Sequence, residues 1–130
     1  MASYRLTALL ILVIALLCVT PALAFAVQQV SDLGKFNEII KKNSNVMVFF
    51  HAVGDEKSVF MSEHFDFHAE MNAAKVVSIK VDIAVATDIV SQAGVPYKPA
   101  FYLYQGGKIR YQIFGNNLKG FILTFDLIAH

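Results

Sequence analysis

Residues 46–58 read VMVFFHAVGDEKS, and this stretch decides the fold. Its first part, 46–51, is a continuous apolar run that ends in a histidine, as expected for a central β-strand buried on both faces. Gly54 and Asp55 then begin a helix that extends to about Met71, because aspartate is a preferred residue at a helix N-terminus. The stretch therefore predicts a buried strand, a turn and a helix in succession.

On both sides of this stretch, predicted strands and helices alternate. The further strands are expected at 27–30, 75–82, 100–104 and 108–114. The further helices are expected at 32–42, capped by Ser31, at 84–93, and after a cap at Asn116 or Asn117. Because the last two strands flank the hairpin signal Gln105-Gly106-Gly107, we predict a mixed sheet of four to five strands with helices on both faces.

The first 24 residues have the parts of a secretory signal. Arg5 precedes an uncharged apolar run at 6–19, and Ala22-Leu23-Ala24 forms a small-residue cleavage pattern. We therefore expect a signal peptide at 1–24, one domain at 25–130, and a protein that is secreted or stays in the secretory pathway, with no membrane association after cleavage. Two alternatives remain: cleavage after the second pattern, at 24–26, and an uncleaved anchor, since the apolar residues 6–25 are just enough to span a bilayer.

The chain has a single cysteine, Cys18, and it lies in this leader. Thiol–disulfide exchange needs one thiolate to attack and a second sulfur to resolve the mixed disulfide. The domain at 25–130 is therefore expected to lack that reaction, and its function is sought in binding.

Charge argues against some partners. The chain has 11 Lys and Arg against 10 Asp and Glu, and Arg5 is lost with the leader, which leaves a balanced domain. Without a basic excess, neither a nucleic acid nor an anionic membrane surface is expected as partner.

Several segments, taken in order, resemble the thioredoxin family. Residues 46–52 resemble the strand that leads into the family's active-site turn, and 94–101 resemble the segment that carries its cis-proline. Further similar segments are 79–82, 103–108 and 115–120. The resemblance covers nearly all of the chain after the leader, and it implies a thioredoxin-like α/β fold.

The resemblance also implies that the family's redox apparatus is missing. Its Cys-x-x-Cys motif falls on Asp55, Glu56, Lys57 and Ser58, so this motif is degenerate. Its buried carboxylate falls on Phe49, and its flanking aromatic residues fall on His51 and Gly54. We therefore expect a redox-inactive member that has no catalytic residues, needs no cofactor and is not an enzyme. Asp55 itself has two interpretations, a helix N-cap and a ligand contact.

Pro99 occupies the position of the family's cis-proline. If its peptide bond is cis, the backbone of Lys98 is available to pair with an extended peptide, and Tyr97 adds an aromatic contact. The alternative is that Pro99 is only a turn and strand-entry residue. We predict a non-covalent binding groove for a peptide or protein partner, framed by Gly54, Asp55, Tyr97, Lys98, Pro99 and Gly115.

Two rival functions stay open. His64 and His68 are four residues apart on the predicted helix, and with Asp55 or Ser58 they could serve a metal-dependent or hydrolytic enzyme. Only two ligands are assured, however, so no metal site is predicted. The other rival is an accessory or structural subunit that presents its surface to a larger assembly. The oligomeric state cannot be read from the sequence.

Overall fold

A computed structural model of the chain describes residues 26–129. These residues form five strands and four helices. The elements are β1 (Val27–Gln29), α1 (Leu33–Lys42), β2 (Asn45–His51), α2 (Glu56–Met71), β3 (Val77–Asp82), α3 (Thr87–Ala93), β4 (Ala100–Gln105), β5 (Lys108–Phe114) and α4 (Leu118–Ala129). The expected signal peptide, 1–24, lies outside the described residues, and among the helices of residues 26–129 none has the length and apolar character of a membrane span.

The strands form one mixed sheet in the order β1-β3-β2-β4-β5, with β2 at its centre. β3 is parallel to both β1 and β2, whereas β4 is antiparallel to both β2 and β5. The predicted α/β fold with a mixed central sheet flanked by helices is confirmed.

Both faces of β2 are buried. Successive side chains of a strand point to opposite sides of the sheet, and those of β2 enter a different cluster on each side. Val46, Val48 and Phe50 belong to a cluster that includes residues of α1 and α3. Met47 and Phe49 belong to a second cluster with residues of α2 and α4. This arrangement explains why the strand is apolar at successive positions and does not alternate with polar residues.

Phenylalanine rings connect the elements of the second cluster. Phe49 and Phe101 are paired across β2 and β4, and their rings stack with centroids 4.6 Å apart. The ring of Phe101 is also 4.7 Å from that of Phe121 on α4, and the ring of Phe49 is 5.1 Å from that of Phe65 on α2. Both helices are thereby fixed to the two central antiparallel strands.

The two edge strands are shorter or more exposed than the central strand β2. β1 has only 3 residues. β5 exposes its first five side chains, among them Lys108 and Arg110, and its register against β4 shifts between Leu103 and Tyr104.

The helix caps depart in part from expectation. The cap of α1 is Asp32 and not Ser31, because the Asp32 carboxylate accepts a hydrogen bond of 2.8 Å from the N–H of Lys35. Of the two residues proposed to cap α4, Asn117 accepts a bond of 3.0 Å from the N–H of Gly120.

Two elements begin later in the chain than expected, since a turn precedes each of them. β3 begins at Val77 and not at 75, because the N–H groups of Lys75 and Val76 both donate to the carbonyl of Asn72 at 2.9 Å. α3 begins at Thr87 and not at 84, because Asp82 holds the intervening turn by accepting a bond of 3.0 Å from the N–H of Ala84.

The aromatic cluster predicts a contrast between two equal truncations. Phe101 is fully buried and Phe67 is 58% exposed. We expect Phe101→Ala to lower the free energy of unfolding by about 3–5 kcal/mol, because it leaves a cavity among packed rings. The matched control, Phe67→Ala, is expected to change it by about 0.5 kcal/mol or less. Urea denaturation measures both, and equal losses would contradict this account of the core.

Candidate functional site

The residues predicted to frame a groove come from the end of the sheet at which β2 and β3 finish and β4 starts. This end is called the Pro99 edge, and it is distinct from the edge strands β1 and β5. Phe50 of β2 pairs with Ala100 at the start of β4, and His51 pairs with Asp82 at the end of β3. The turn after β2 and the segment before β4 therefore leave the sheet at the same edge. Pro99 immediately precedes β4, so it lies on that edge beside the end of β2.

The turn between β2 and α2 is held by local hydrogen bonds. Gly54 has a φ of 81°, a left-handed value that glycine adopts without steric cost. The N–H of Asp55 donates to the carbonyl of Ala52 at 3.2 Å, and the Asp55 carboxylate accepts from the N–H of Ser58 at 3.0 Å. Asp55 is therefore the N-cap of α2, and its charge lies at the positive end of the helix dipole.

Ser58 is enclosed in the first turn of α2. Its side chain is only 2% exposed, and its hydroxyl oxygen accepts a hydrogen bond of 3.1 Å from the N–H of Ala52. The serine thus connects the helix back to the end of β2. Glu56 and Lys57, the middle residues of the degenerate motif, are both exposed.

Pro99 is tied to the end of β5. The Lys98–Pro99 peptide bond is cis, and the carbonyl of the buried Pro99 accepts a hydrogen bond of 2.7 Å from the N–H of Gly115. Gly115 has a φ of 73° at this point. The bond brings together two of the residues predicted to frame the groove.

Lys98, directly before Pro99, is an exposed residue. Within residues 26–129, no group hydrogen-bonds to its N–H or its C=O. The neighbouring Tyr97 is 68% exposed and packs edge-on against Phe114, with ring centroids 5.9 Å apart. A backbone donor and acceptor without partners in this range therefore lie next to an exposed aromatic ring.

An apolar groove of about 360 Å³ continues from this segment toward α3. Its lining residues are Ile83, Val90, Val95, Pro96, Tyr97 and Lys98. Sequence reasoning did not assign the first four of these to a site. The position of Ile83 directly after β3 was the available signal, because ligands of open α/β sheets bind beyond the carboxyl ends of the strands.

His51 ends β2 next to the turn. Its Nε2 is buried and has no hydrogen-bond partner within residues 26–129, and its ring is 5.4 Å from that of Phe49. Burial lowers the pKa of His51, the negative charge of Asp82 opposes this, and the positive charge of Lys80 adds to it. The neutral imidazole is therefore favoured in the folded protein.

The side chain of Lys80, on β3, contacts the middle of α2. Its ammonium is 2.8 Å from the carboxylate of Asp66, 2.9 Å from the hydroxyl of Ser62 and 6.0 Å from the ring centroid of Phe49. The family resemblance places its buried carboxylate at the position of Phe49. In this chain the ammonium of Lys80 approaches the Phe49 ring at that position.

The two histidines of α2 have aromatic surroundings. The ring of His64 is 5.1 Å from that of Phe60, whereas His68 packs against Phe121 and Phe125 at 5.5 and 5.6 Å. Burial lowers the pKa of His68, His64 lowers it further, and Asp126 acts in the opposite direction. Across residues 26–129, no three His, Cys, Asp or Glu side chains are grouped so that they could hold a metal ion.

The five-stranded mixed sheet, with the turn into α2 beside Pro99, defines a thioredoxin-like α/β domain. The family model described as Thioredoxin matches residues 27–125. The chain therefore belongs to the thioredoxin family. Among curated relatives, Thioredoxin-1 of Schizosaccharomyces pombe is 31% identical over 91 residues, 70% of this chain and 87% of the relative. The thioredoxin of Coprinus comatus is 28% identical over 92 residues, with the same coverage of 70% and 87%.

Solved structures of thioredoxins share the fold. That of Malassezia sympodialis thioredoxin superposes with a TM-score of 0.76 at 18% identity, covering 80% of this chain and 94% of the other. The oxidised thioredoxin of Plasmodium falciparum superposes with a TM-score of 0.74 at 22% identity, covering 80% and 99%.

These relatives correct one expectation. The sequence was expected to belong to a protein that is not an enzyme, but the relatives are named thioredoxins, which are oxidoreductases. That expectation is wrong, because membership of the thioredoxin family points to an enzyme class. The missing motif alone did not justify it.

The two aspartate caps give a test of the turn. Asp55 and Asp32 cap α2 and α1 through equivalent bonds to the third residue of each helix. We expect Asp55→Ala and Asp32→Ala each to lower the free energy of unfolding by about 0.5–2 kcal/mol, because each leaves a helix N–H without its partner. Asp55→Asn, which keeps an acceptor oxygen, should recover most of the loss in urea denaturation. A gain in stability for Asp55→Ala would contradict the capping role.

The histidines predict a direction of pH dependence. The pKa values of His51 and His68 lie below the ordinary value of 6.5, so the unfolded chain binds more protons as the pH falls through that value. We expect the free energy of unfolding to fall between about pH 7.5 and about pH 5.5, and to fall less steeply in His51→Phe. His68 accounts for the slope that remains. An unchanged slope in His51→Phe, measured by urea denaturation across this range, would contradict the assignment.

Proposed function

We propose that this thioredoxin-family domain binds extended segments of polypeptide without forming a covalent bond to them. The binding edge consists of the turn into α2, the segment before β4 and the end of β5. It is framed by Gly54, Asp55, Tyr97, Lys98, Pro99 and Gly115. The observation that carries the proposal is the backbone of the exposed Lys98, whose N–H and C=O have no hydrogen-bond partner within residues 26–129.

An extended peptide satisfies these two groups by lying alongside Lys98 as an added strand. Main-chain hydrogen bonds of this kind give affinity that depends little on the side chains of the peptide. The bond from Gly115 to Pro99 supports the proposal, because it holds the segment in place before a partner arrives.

The apolar groove supplies selectivity in this proposal. It lies next to Lys98 and is lined by Ile83, Val90 and Val95 together with the exposed Tyr97 and Pro96. A peptide with one large apolar side chain buries that side chain there, at about 25 cal/mol for each Å² of apolar surface removed from water.

Binding at this edge proceeds without a mixed disulfide. The motif positions Asp55 and Ser58 hold hydrogen bonds within the turn, and the one cysteine of the chain, Cys18, lies outside the described residues. We therefore propose that residues 26–129 exchange no disulfide with their partner. The signal-like features of residues 1–24 support a place in the secretory pathway, where unfolded and extended chains are available partners.

Two tyrosines provide the test. A short, blocked peptide rich in Val and Thr with one central Leu is titrated into the ¹⁵N-labelled chain. We expect chemical-shift changes in 94–99 and 52–55. Tyr97→Ala is expected to weaken binding about tenfold, because an exposed aromatic contact is lost.

The control is Tyr111→Ala, which removes a ring that is 36% exposed on β5. This variant should bind as the parent chain does. If Tyr97→Ala leaves the affinity unchanged, or if both variants weaken it equally, the proposal fails.

A redox role is the second candidate, favoured by the names of the relatives. The sequence offers Cys18 alone for it, and a lone thiol needs an external thiol to resolve its mixed disulfide. Reduction of insulin by the full chain with dithiothreitol, compared with Cys18→Ser, distinguishes the two. Turnover that the variant loses supports the redox role, whereas no turnover above the dithiothreitol background contradicts it.

A further inference from the structure

The outward side of α2 is apolar along most of its length. Phe60, His64, Phe67 and Met71 follow one another at spacings of four, three and four residues, which places them on one side of a helix. These four residues are here named the outer stripe. Phe60 is 49% exposed, Phe67 58% and Met71 68%, so the stripe faces solvent.

The outer stripe is separate from the buried face of the same helix. Met61, Phe65 and Ala69 are fully buried against the sheet and α4. α2 therefore has a second apolar face that the domain's own core does not use. An apolar face that stays exposed on a surface helix is typical of a surface that binds a partner.

One edge of the outer stripe is acidic. Glu56, Glu63 and Glu70 are seven residues apart and line the side of the stripe away from α4. All three are exposed, and none forms an ion pair within residues 26–129. The other edge consists of Met61, which is buried, and His68, which is half-buried and packs against α4.

This pattern is that of one helix of a coiled coil. With the outer stripe at the core positions a and d, the three glutamates occupy successive g positions. Such positions form ion pairs with basic residues of the facing helix and determine which partner is bound.

We propose that the outer stripe binds an amphipathic helix of a partner protein, with its apolar side on Phe60, Phe67 and Met71 and a row of Lys or Arg facing the glutamates. This surface is distinct from the edge at Pro99. It would let the domain attach to an assembly while the peptide-binding edge stays free.

Charge complementarity favours such a partner over a second copy of this chain. In an antiparallel pair of copies, the glutamate edges face each other and repel. In a parallel pair, the glutamates face Met61 and His68 of the other copy. Met61 is apolar and buried, and the ring of His68 packs against Phe121 and Phe125, so neither offers the full charge of a Lys or Arg. An anionic membrane surface is disfavoured by the same row of carboxylates.

The test uses two synthetic helical peptides. Both carry Leu at every core position, and the flanking positions are Lys in one and Glu in the other. We expect the Lys peptide to bind the ¹⁵N-labelled full chain at least about tenfold more tightly than the Glu peptide, with shift changes along 56–71 and none at Tyr97.

Two variants and one control separate the apolar from the charged contribution to binding of the Lys peptide. Phe67→Ala is expected to weaken binding of the Lys peptide about tenfold, whereas Ile109→Ala, which alters an exposed apolar residue of β5, leaves it unchanged. The double variant Glu63→Lys with Glu70→Lys is expected to reverse the preference between the two peptides, and circular dichroism checks that each variant is folded.

Several outcomes would overturn the proposal. These are equal affinity for the two peptides, binding of neither, or shift changes confined to the Pro99 edge. A dimer in sedimentation equilibrium that Phe67→Ala dissociates would assign the stripe to a second copy instead.

Discussion

The burial of β2 on both faces is the constraint on which the rest of the structure depends. Because its side chains enter two separate clusters, a shift of one residue in its register would exchange the contents of both. The register is fixed further by the stacked pair Phe49 and Phe101. With β2 fixed, its last residues and the start of β4 meet at one edge, and the turn into α2 is brought beside Pro99.

At that edge, the two residues that the family resemblance aligns with its cysteines form hydrogen bonds. Asp55 accepts the bond that caps α2, and Ser58 accepts the bond that joins the helix to the end of β2. An anion at the start of a helix is stabilised by the unpaired N–H groups and by the helix dipole. These bonds hold the turn without any contribution from sulfur.

Sequence reasoning succeeded where one local signal determined the structure. The apolar run at 46–51 predicted a doubly buried strand, and the alternation of elements predicted the mixed sheet. It failed at 75–76, where backbone bonds to the Asn72 carbonyl form a turn that the apolar pattern did not indicate. It also failed at the lining of the groove by Ile83, Val90 and Val95, which only the tertiary structure brings together. The outer stripe was also missed, since the spacing of Phe60, Phe67 and Met71 does not reveal which of the two apolar faces of α2 is exposed. The missing cysteines do not by themselves show that the protein is not an enzyme. That expectation went beyond what residue identity supports.

The edges of the sheet have a consequence for how the molecule behaves at high concentration. A long, flat, uncharged edge strand invites the backbone of another molecule to pair with it and begins aggregation. Here one edge has only 3 residues, and the other carries Lys108 and Arg110 next to an irregular register. Even at high concentration, the sheets of two molecules are therefore disfavoured from pairing edge to edge.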